Sequence, residues 1–138
     1  MKQDSASLQA SHRLVHEFFA AVTAGDLPDS LLTADMKAWT TTQGDMGKAA
    51  YQHVIRLLAR ISREPLTFTI DSTTAEEDRV VAEVHSRGTL ISGEEYANTY
   101  VFVFHVRDGR IASVAEHFNA LIVQEKMVPL VRKLQGVL

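Results

Sequence analysis

Cysteine is absent from this chain of 138 residues. That excludes disulfides, thiolate metal sites and a cysteine nucleophile, and it points to a cytoplasmic protein. There is no run of Lys or Arg and the formal net charge is −3. Neither nucleic acid nor a membrane is therefore expected as a partner. No apolar stretch approaches the roughly 20 residues of a membrane span, and the N-terminal MKQDSASLQASHR lacks the apolar segment of a signal peptide. Six histidines are present, but only His12 and His16 have helical ligand spacing. No carboxylate is placed to join them, so no metal is expected. Proline is scarce and marks element ends: Pro28 opens a short helix, Pro65 stops another, and Pro129 interrupts the last. No repeat, linker or low-complexity tract divides the chain. Its length and 46% apolar content suit a single domain, 1–138, with a real core.

What the chain does contain is β-patterning. Three runs, Val80 to Leu90, Tyr96 to Val106 and Ile111 to Asn119, alternate with period two and are joined by Gly-bearing turns. Tyr96, Asn98, Tyr100, Phe102 and Phe104 share one face of the middle strand; Ala97, Thr99, Val101, Val103 and His105 share the other. A three-residue loop at Asp108-Gly109 pairs Val106 with Arg110 and sets Phe104 opposite Ala112, Phe102 opposite Val114 and Tyr100 opposite Glu116. A two-residue turn is the alternative and sets His117 opposite Tyr100. Around Ser92-Gly93, a two- or four-residue loop places His85 opposite Tyr100 and Glu83 opposite Phe102. With both registers, His85, Tyr100 and Glu116 stand side by side on an aromatic face.

The rest of the chain supplies helices. Leu8, His12, Val15, Phe19 and Val22 repeat at helical spacing from Ser5 to Ala24, and Gly25 suits a C-cap. Asp26 and Pro28 open a short helix through Leu31 and Leu32, and Met36 to Thr42, with the sole Trp at 39, reads as a small strand. Asp45 caps a helix from Gly47 to about Ser62 whose buried stripe is Tyr51, Val54, Leu58 and Ile61. Leu66 to Thr73 is a strand, and Asn119 caps a terminal helix. The order predicts an α+β fold: one curved antiparallel sheet with helices packed on its concave face, enclosing a cone-shaped cavity for a small hydrophobic ligand. The opposite face, read as Val101, Val103, His105, Ala82, Val84, Ile70 and Phe68, is too apolar to stay in water. A homodimer through that outer face of the sheet is expected.

The string G-x-L-x-x-G-x-x-Y-x-N-x-Y-x-F-x-F-x-V-x-D-G-R-I-x-x-V-x-E-H-F-N carries Gly88, Gly93, Tyr96, Asn98, Tyr100, Phe102, Phe104, Asp108, Gly109, Ile111, Glu116 and Asn119. It resembles the SnoaL-like branch of the nuclear-transport-factor-2-like superfamily, which includes polyketide cyclases, ketosteroid isomerases and limonene epoxide hydrolases. The resemblance implies a pocket-facing carboxylate at Glu116. The Arg and Asp pair of the epoxide hydrolases is missing, with Glu83 and His85 in its place. The proton-shuttling Asp of the ketosteroid isomerases is missing too, since only threonines surround Trp39. A polyketide-cyclase-like arrangement remains, and its fold hosts both enzymes and inert binders.

Glu116 in an apolar pocket would have a raised pKa and suit acid/base work near neutral pH. The candidate catalytic residues are therefore Glu116, His85 and Tyr100, with Asn98 and Tyr100 holding a carbonyl oxygen. Asn98, Trp39, Tyr51, Phe102 and Phe118 are the candidate substrate-binding residues. The expected function is a cofactor-free isomerase or cyclase acting on a hydrophobic carbonyl compound. The alternative is a non-catalytic ligand-binding or dimerisation module of the same fold.

Overall fold

Apolar residues at spacings of three and four make the first helix, α1 (Ser5–Ala24), one-sided. Leu14, Val15, Phe18, Phe19 and Val22 are buried along it, and half-buried His12 meets the Thr73 hydroxyl at 2.6 Å. Gly25, at φ +78°, ends the helix. Its amide donates to Val22 O at 3.0 Å and that of Asp26 to Ala21 O at 3.2 Å, the paired bonds of a Schellman ending. These elements belong to a computed structural model that describes residues 5–135. Residues 1–4 and 136–138 of the expected single domain lie outside that range.

A 3-10 turn (Asp29–Leu31) stands where a short helix was expected, and β1 runs Leu32–Thr40, beginning earlier than Met36. β2 (Gly44–Gly47) has no counterpart in the sequence reading: Asp45, expected as a helix cap, pairs with Trp39 in a hairpin. α2 (Lys48–Arg60) follows and buries Tyr51, Ile55 and Leu57. Four long strands come next: β3 (Thr67–Glu76), β4 (Arg79–Thr89), β5 (Glu95–Arg107) and β6 (Arg110–Phe118). Asn119 caps α3 (Ala120–Lys126), its Oδ1 accepting from Leu121 N at 3.1 Å. The chain breaks at Met127 into α4 (Val128–Leu134), where Pro129 sits in the first turn and its missing N–H costs no helical bond.

The strands form one curved sheet in the order β2-β1-β6-β5-β4-β3, with helices on one face. The sheet is mixed rather than wholly antiparallel, because β1 runs parallel to β6. Those two strands are far apart in sequence, so no tight turn forces them to run opposite ways. Between sheet and helices, Phe18 and Phe19 pack edge to face on Phe102 and Phe104, with Phe19 and Phe102 centroids 4.8 Å apart. A second cluster, Ile61, Leu66, Leu90, Tyr96 and Met127, anchors α3 and α4. No helix among the described residues is long and apolar enough to cross a membrane.

Two connections decide which side chains face inward. At Asp108-Gly109 the loop has two residues, both at positive φ, so Arg107 pairs with Arg110. Continued unbroken, that register would turn Glu116 outward. A bulge prevents it: Val106 pairs with Ile111 and His105 with Ser113, leaving Ala112 unpaired. Phe102 then faces Glu116 and Tyr100 faces Phe118. The pairing differs by two residues from the expected three-residue register, and the inward face is the same.

The β4–β5 connection differs by one residue, and the consequence is larger. It spans Leu90 to Glu94, with Thr89 paired to Glu95. Buried Leu90 bridges to Ser62, and its amide donates to Glu94 O at 2.9 Å. This odd-length loop pairs Val84 with Tyr100 and His85 with Thr99. His85 and Glu83 therefore point outward, while Ala82 and Val84 enter the core. Phe68 and Ile70 also pack against the core. The outer face is thus more polar than expected: Val101, Val103, Val81, Ala115 and Trp39 remain, among Thr69, Glu83, His85 and His105.

Gly25 tests the packing of α1 on α2. A Cβ there would sit 2.5 Å from Ala59 Cβ, on a backbone at positive φ. Gly25→Ala should cost about 2 kcal/mol or more of unfolding free energy, measured by urea denaturation.

Candidate active site

Between the inner sheet face and the helices lies a cavity of about 650 Å³. Phe68, Phe102 and Phe118 line its sheet side, Ile55, Leu58 and Ile61 its α2 side, and Val123, Met127 and Val131 the side made by α3 and α4. Glu116 is the acid in this wall, placed there by the bulge at Ala112. The Tyr51 hydroxyl, fully buried on α2, donates a short hydrogen bond to Glu116 Oε2.

Burial pushes the Glu116 carboxyl from its ordinary 4.5 up to about 7, against the opposing pull of the Tyr51 hydrogen bond. The cause is physical: an apolar wall solvates a carboxylate poorly, and one phenol replaces only part of the lost water. Burial and the adjacent carboxylate also hold the Tyr51 phenol well above its usual value. Tyr51 therefore stays protonated and remains a donor.

A second polar group lies along β5 and β4. Tyr100 OH meets Ser86 Oγ at 2.9 Å and Tyr96 OH at 3.0 Å. Asn98 Nδ2 donates to Tyr96 OH at 2.9 Å, while its Oδ1 accepts from Thr99 N. Three hydroxyls share two mutual contacts, so one hydroxyl proton is left over. Tyr96 and Tyr100 both line the cavity and can direct that proton into it. Burial raises both phenols, Tyr100 far above the usual tyrosine value, so neither ionises near neutral pH. Glu116 and Tyr100 are diagonal neighbours across the β5–β6 pair, a spacing of about 7–8 Å between backbones.

Of the residues expected at the site, Glu116, Tyr100, Tyr51, Phe102 and Phe118 all line the cavity. His85 does not. The one-residue shift puts it on the outer face, 2.9 Å from Asp71, and leaves it no path to Glu116. Trp39 is corrected too: paired with Ala115 on the outer side, it packs on His117 with centroids 4.8 Å apart. Asn98 is buried behind the phenols rather than lining the cavity, and its amide serves Tyr96 and Asn119 O. Tyr96 and Ser86 complete the group without having been singled out. Alternation along β5 already placed Tyr96 four residues from Tyr100 on the same face, whereas Ser86 needed the loop parity. Among the described residues no three His, Asp or Glu side chains gather as a metal site would need.

Residues 15–114 match the SnoaL-like domain family. The chain belongs to that family. Solved structures agree on the fold. A nuclear-transport-factor-2-like protein from Anabaena variabilis is 24% identical, with TM-score 0.74, covering 86% of this chain and 94% of that one. A Bacillus subtilis protein provisionally named an isomerase is 22% identical, TM-score 0.75, covering 86% and 93%. A protein from Jannaschia sp. provisionally named a SnoaL-like polyketide cyclase is 15% identical, TM-score 0.74, covering 91% and 97%. At these identities the likeness of this SnoaL-like chain to each structure is one of fold.

The raised Glu116 carboxyl links stability to pH. Because its folded value, about 7, lies above the ordinary 4.5, the folded protein binds the proton more tightly than the unfolded chain. Stability is therefore full below about 4.5 and falls as pH rises through about 7. Urea denaturation across this range should show the fall in the native protein and a smaller one in Glu116→Gln. Tyr51→Phe removes the bond that favours the charged carboxylate, so the fall should extend to higher pH.

Proposed function

We propose that this protein holds a small hydrophobic carbonyl compound in the cavity and moves a proton on it without a cofactor. What carries the reading is Glu116: a carboxyl poised near neutrality, at the wall of an apolar cavity, diagonal to a protonated phenol. As base, Glu116 takes a proton from the carbon next to the carbonyl, and the C–H electron pair moves into the developing enolate. The leftover hydroxyl proton of the Tyr96–Tyr100–Ser86 group hydrogen-bonds the enolate oxygen, and against apolar walls such a bond counts for more than in water. Protonated Glu116 then returns its proton. Delivered to another carbon of the enolate system, it completes an isomerisation. If the enolate carbon instead attacks a second carbonyl, the proton goes to the new alkoxide and a ring closes. The names borne by two of the structural neighbours, isomerase and polyketide cyclase, are consistent with both outcomes. His85 has no part in this scheme.

The test is deuterium exchange and isomerisation of a panel of cyclic enones in D2O, followed by proton NMR. The native protein should catalyse one or both, and Glu116→Gln should lower the rate by about 10²- to 10⁴-fold with probe affinity little changed. Probes that bind with no catalysed exchange, in native and variant alike, would favour the non-catalytic binding module.

We further propose that the protein is a homodimer paired through the outer face of the sheet, supported by the exposed Val101 beside half-buried Trp39 and Val103. Light scattering should give twice the 15.3 kDa chain mass, and Val101→Asp should halve it. A native mass of one chain overturns the pairing.

A further inference from the structure

Most residues lining the cavity are buried or half-buried, and those that are also exposed to solvent mark its mouth: Gln43, Gln124, Arg132 and Gln135. All are polar, none is acidic, and only Arg132 is charged. α4 explains the placement. Val128, Val131, Arg132 and Gln135 follow at intervals of three, one and three, the spacing of one helix face, and all line the cavity. That face passes from apolar at its start to cationic and amide at its end. Arg132 is the cation of the cavity lining, and among the described residues it has no ion pair. The rest of the lining holds no cation: its other titratable groups are Glu116 and the phenols of Tyr51, Tyr96 and Tyr100.

From this gradient we infer that the cavity takes amphipathic anions: an apolar body among Phe102, Phe118 and Val131, with a carboxylate or similar anionic head group at Arg132. The guanidinium offers a planar pair of N–H donors that suits a carboxylate, and the glutamine amides add neutral donors without a competing negative charge. The apolar body supplies most of the affinity, while Arg132 decides which end of the ligand stays at the mouth. It thereby sets which carbon lies near Glu116. The inference rests on the cavity being a ligand site, as proposed above, and adds the chemical class of the ligand.

Two fluorescent probes share one ring system and separate these claims. N-phenyl-1-naphthylamine is neutral, and 1-anilinonaphthalene-8-sulfonate carries an anionic group. Both should bind the native protein and compete with one another. Arg132→Gln should weaken the sulfonate by about three- to tenfold and leave the neutral probe unchanged. Arg132→Glu should weaken the sulfonate further, Arg132→Lys should restore part of the loss, and added salt should weaken only the sulfonate in the native protein. If the neutral probe binds but the sulfonate fails to displace it, or displaces it equally in native and Arg132→Gln protein, the anionic class is wrong and the cavity reading stands. If neither probe binds, both fall together.

Discussion

Each residue of a β-strand faces one side of the sheet or the other, and the site here depends on two local events that decide the side. The bulge at Ala112 offsets the two-residue turn at Asp108-Gly109 and returns Glu116 to the inward face. The odd-length loop from Leu90 to Glu94 turns His85 away. Both have causes in the sequence. Gly109 accepts a positive φ at no steric cost, and buried Leu90 holds its loop by pairing with Ser62 and packing among Ile61, Leu66, Tyr96 and Met127. A one-residue change in the first would exchange Glu116 for His117 on the inward face, and one in the second would bring His85 and Glu83 inward in place of Val84 and Ala82. The chemistry of the protein is to that extent a consequence of strand parity.

Glu116 gains its character from what surrounds it rather than from a charged partner. Apolar walls raise its proton affinity, and Tyr51, delivered from α2, moderates the rise and fixes the carboxyl in place. The phenols of β5 are tuned the same way: buried, mutually bonded and held protonated. Acid and donor thus stand on adjacent strands with no cation between them. On the function proposed above, such a pair moves a proton on a bound carbonyl compound with Glu116 alternating between its charged and neutral forms. The mouth on α4 keeps the one cation of the lining, Arg132, at the rim.

Much of this architecture was legible from residue patterns. The span of α1, its ending at Gly25, the capping by Asn119 and the two faces of β5 all follow from short-range rules that depend on a few neighbouring residues. The inward position of Glu116 was reached as well, through a register two residues away from the observed one. His85, Trp39 and Asn98 were misplaced because their surroundings depend on long-range pairing. The loop parity of β4–β5 is set by Leu90 packing under α3 and α4, and β1 joins β6 in parallel across most of the chain. Asn98 had the right face, yet the larger Tyr96 and Tyr100 fill the space between it and the cavity. Periodicity identifies a face; it does not say which side chain on that face reaches the ligand.

The central claim is that the cavity holds a carboxyl kept near neutrality by burial. Carbon-13 NMR titration of the glutamate side-chain carboxyls measures this directly, with the Glu116 signal identified by its loss in Glu116→Gln. The account predicts a midpoint near 7. A midpoint near the ordinary 4.5 would mean that water reaches the carboxylate freely, and would contradict the account at its base.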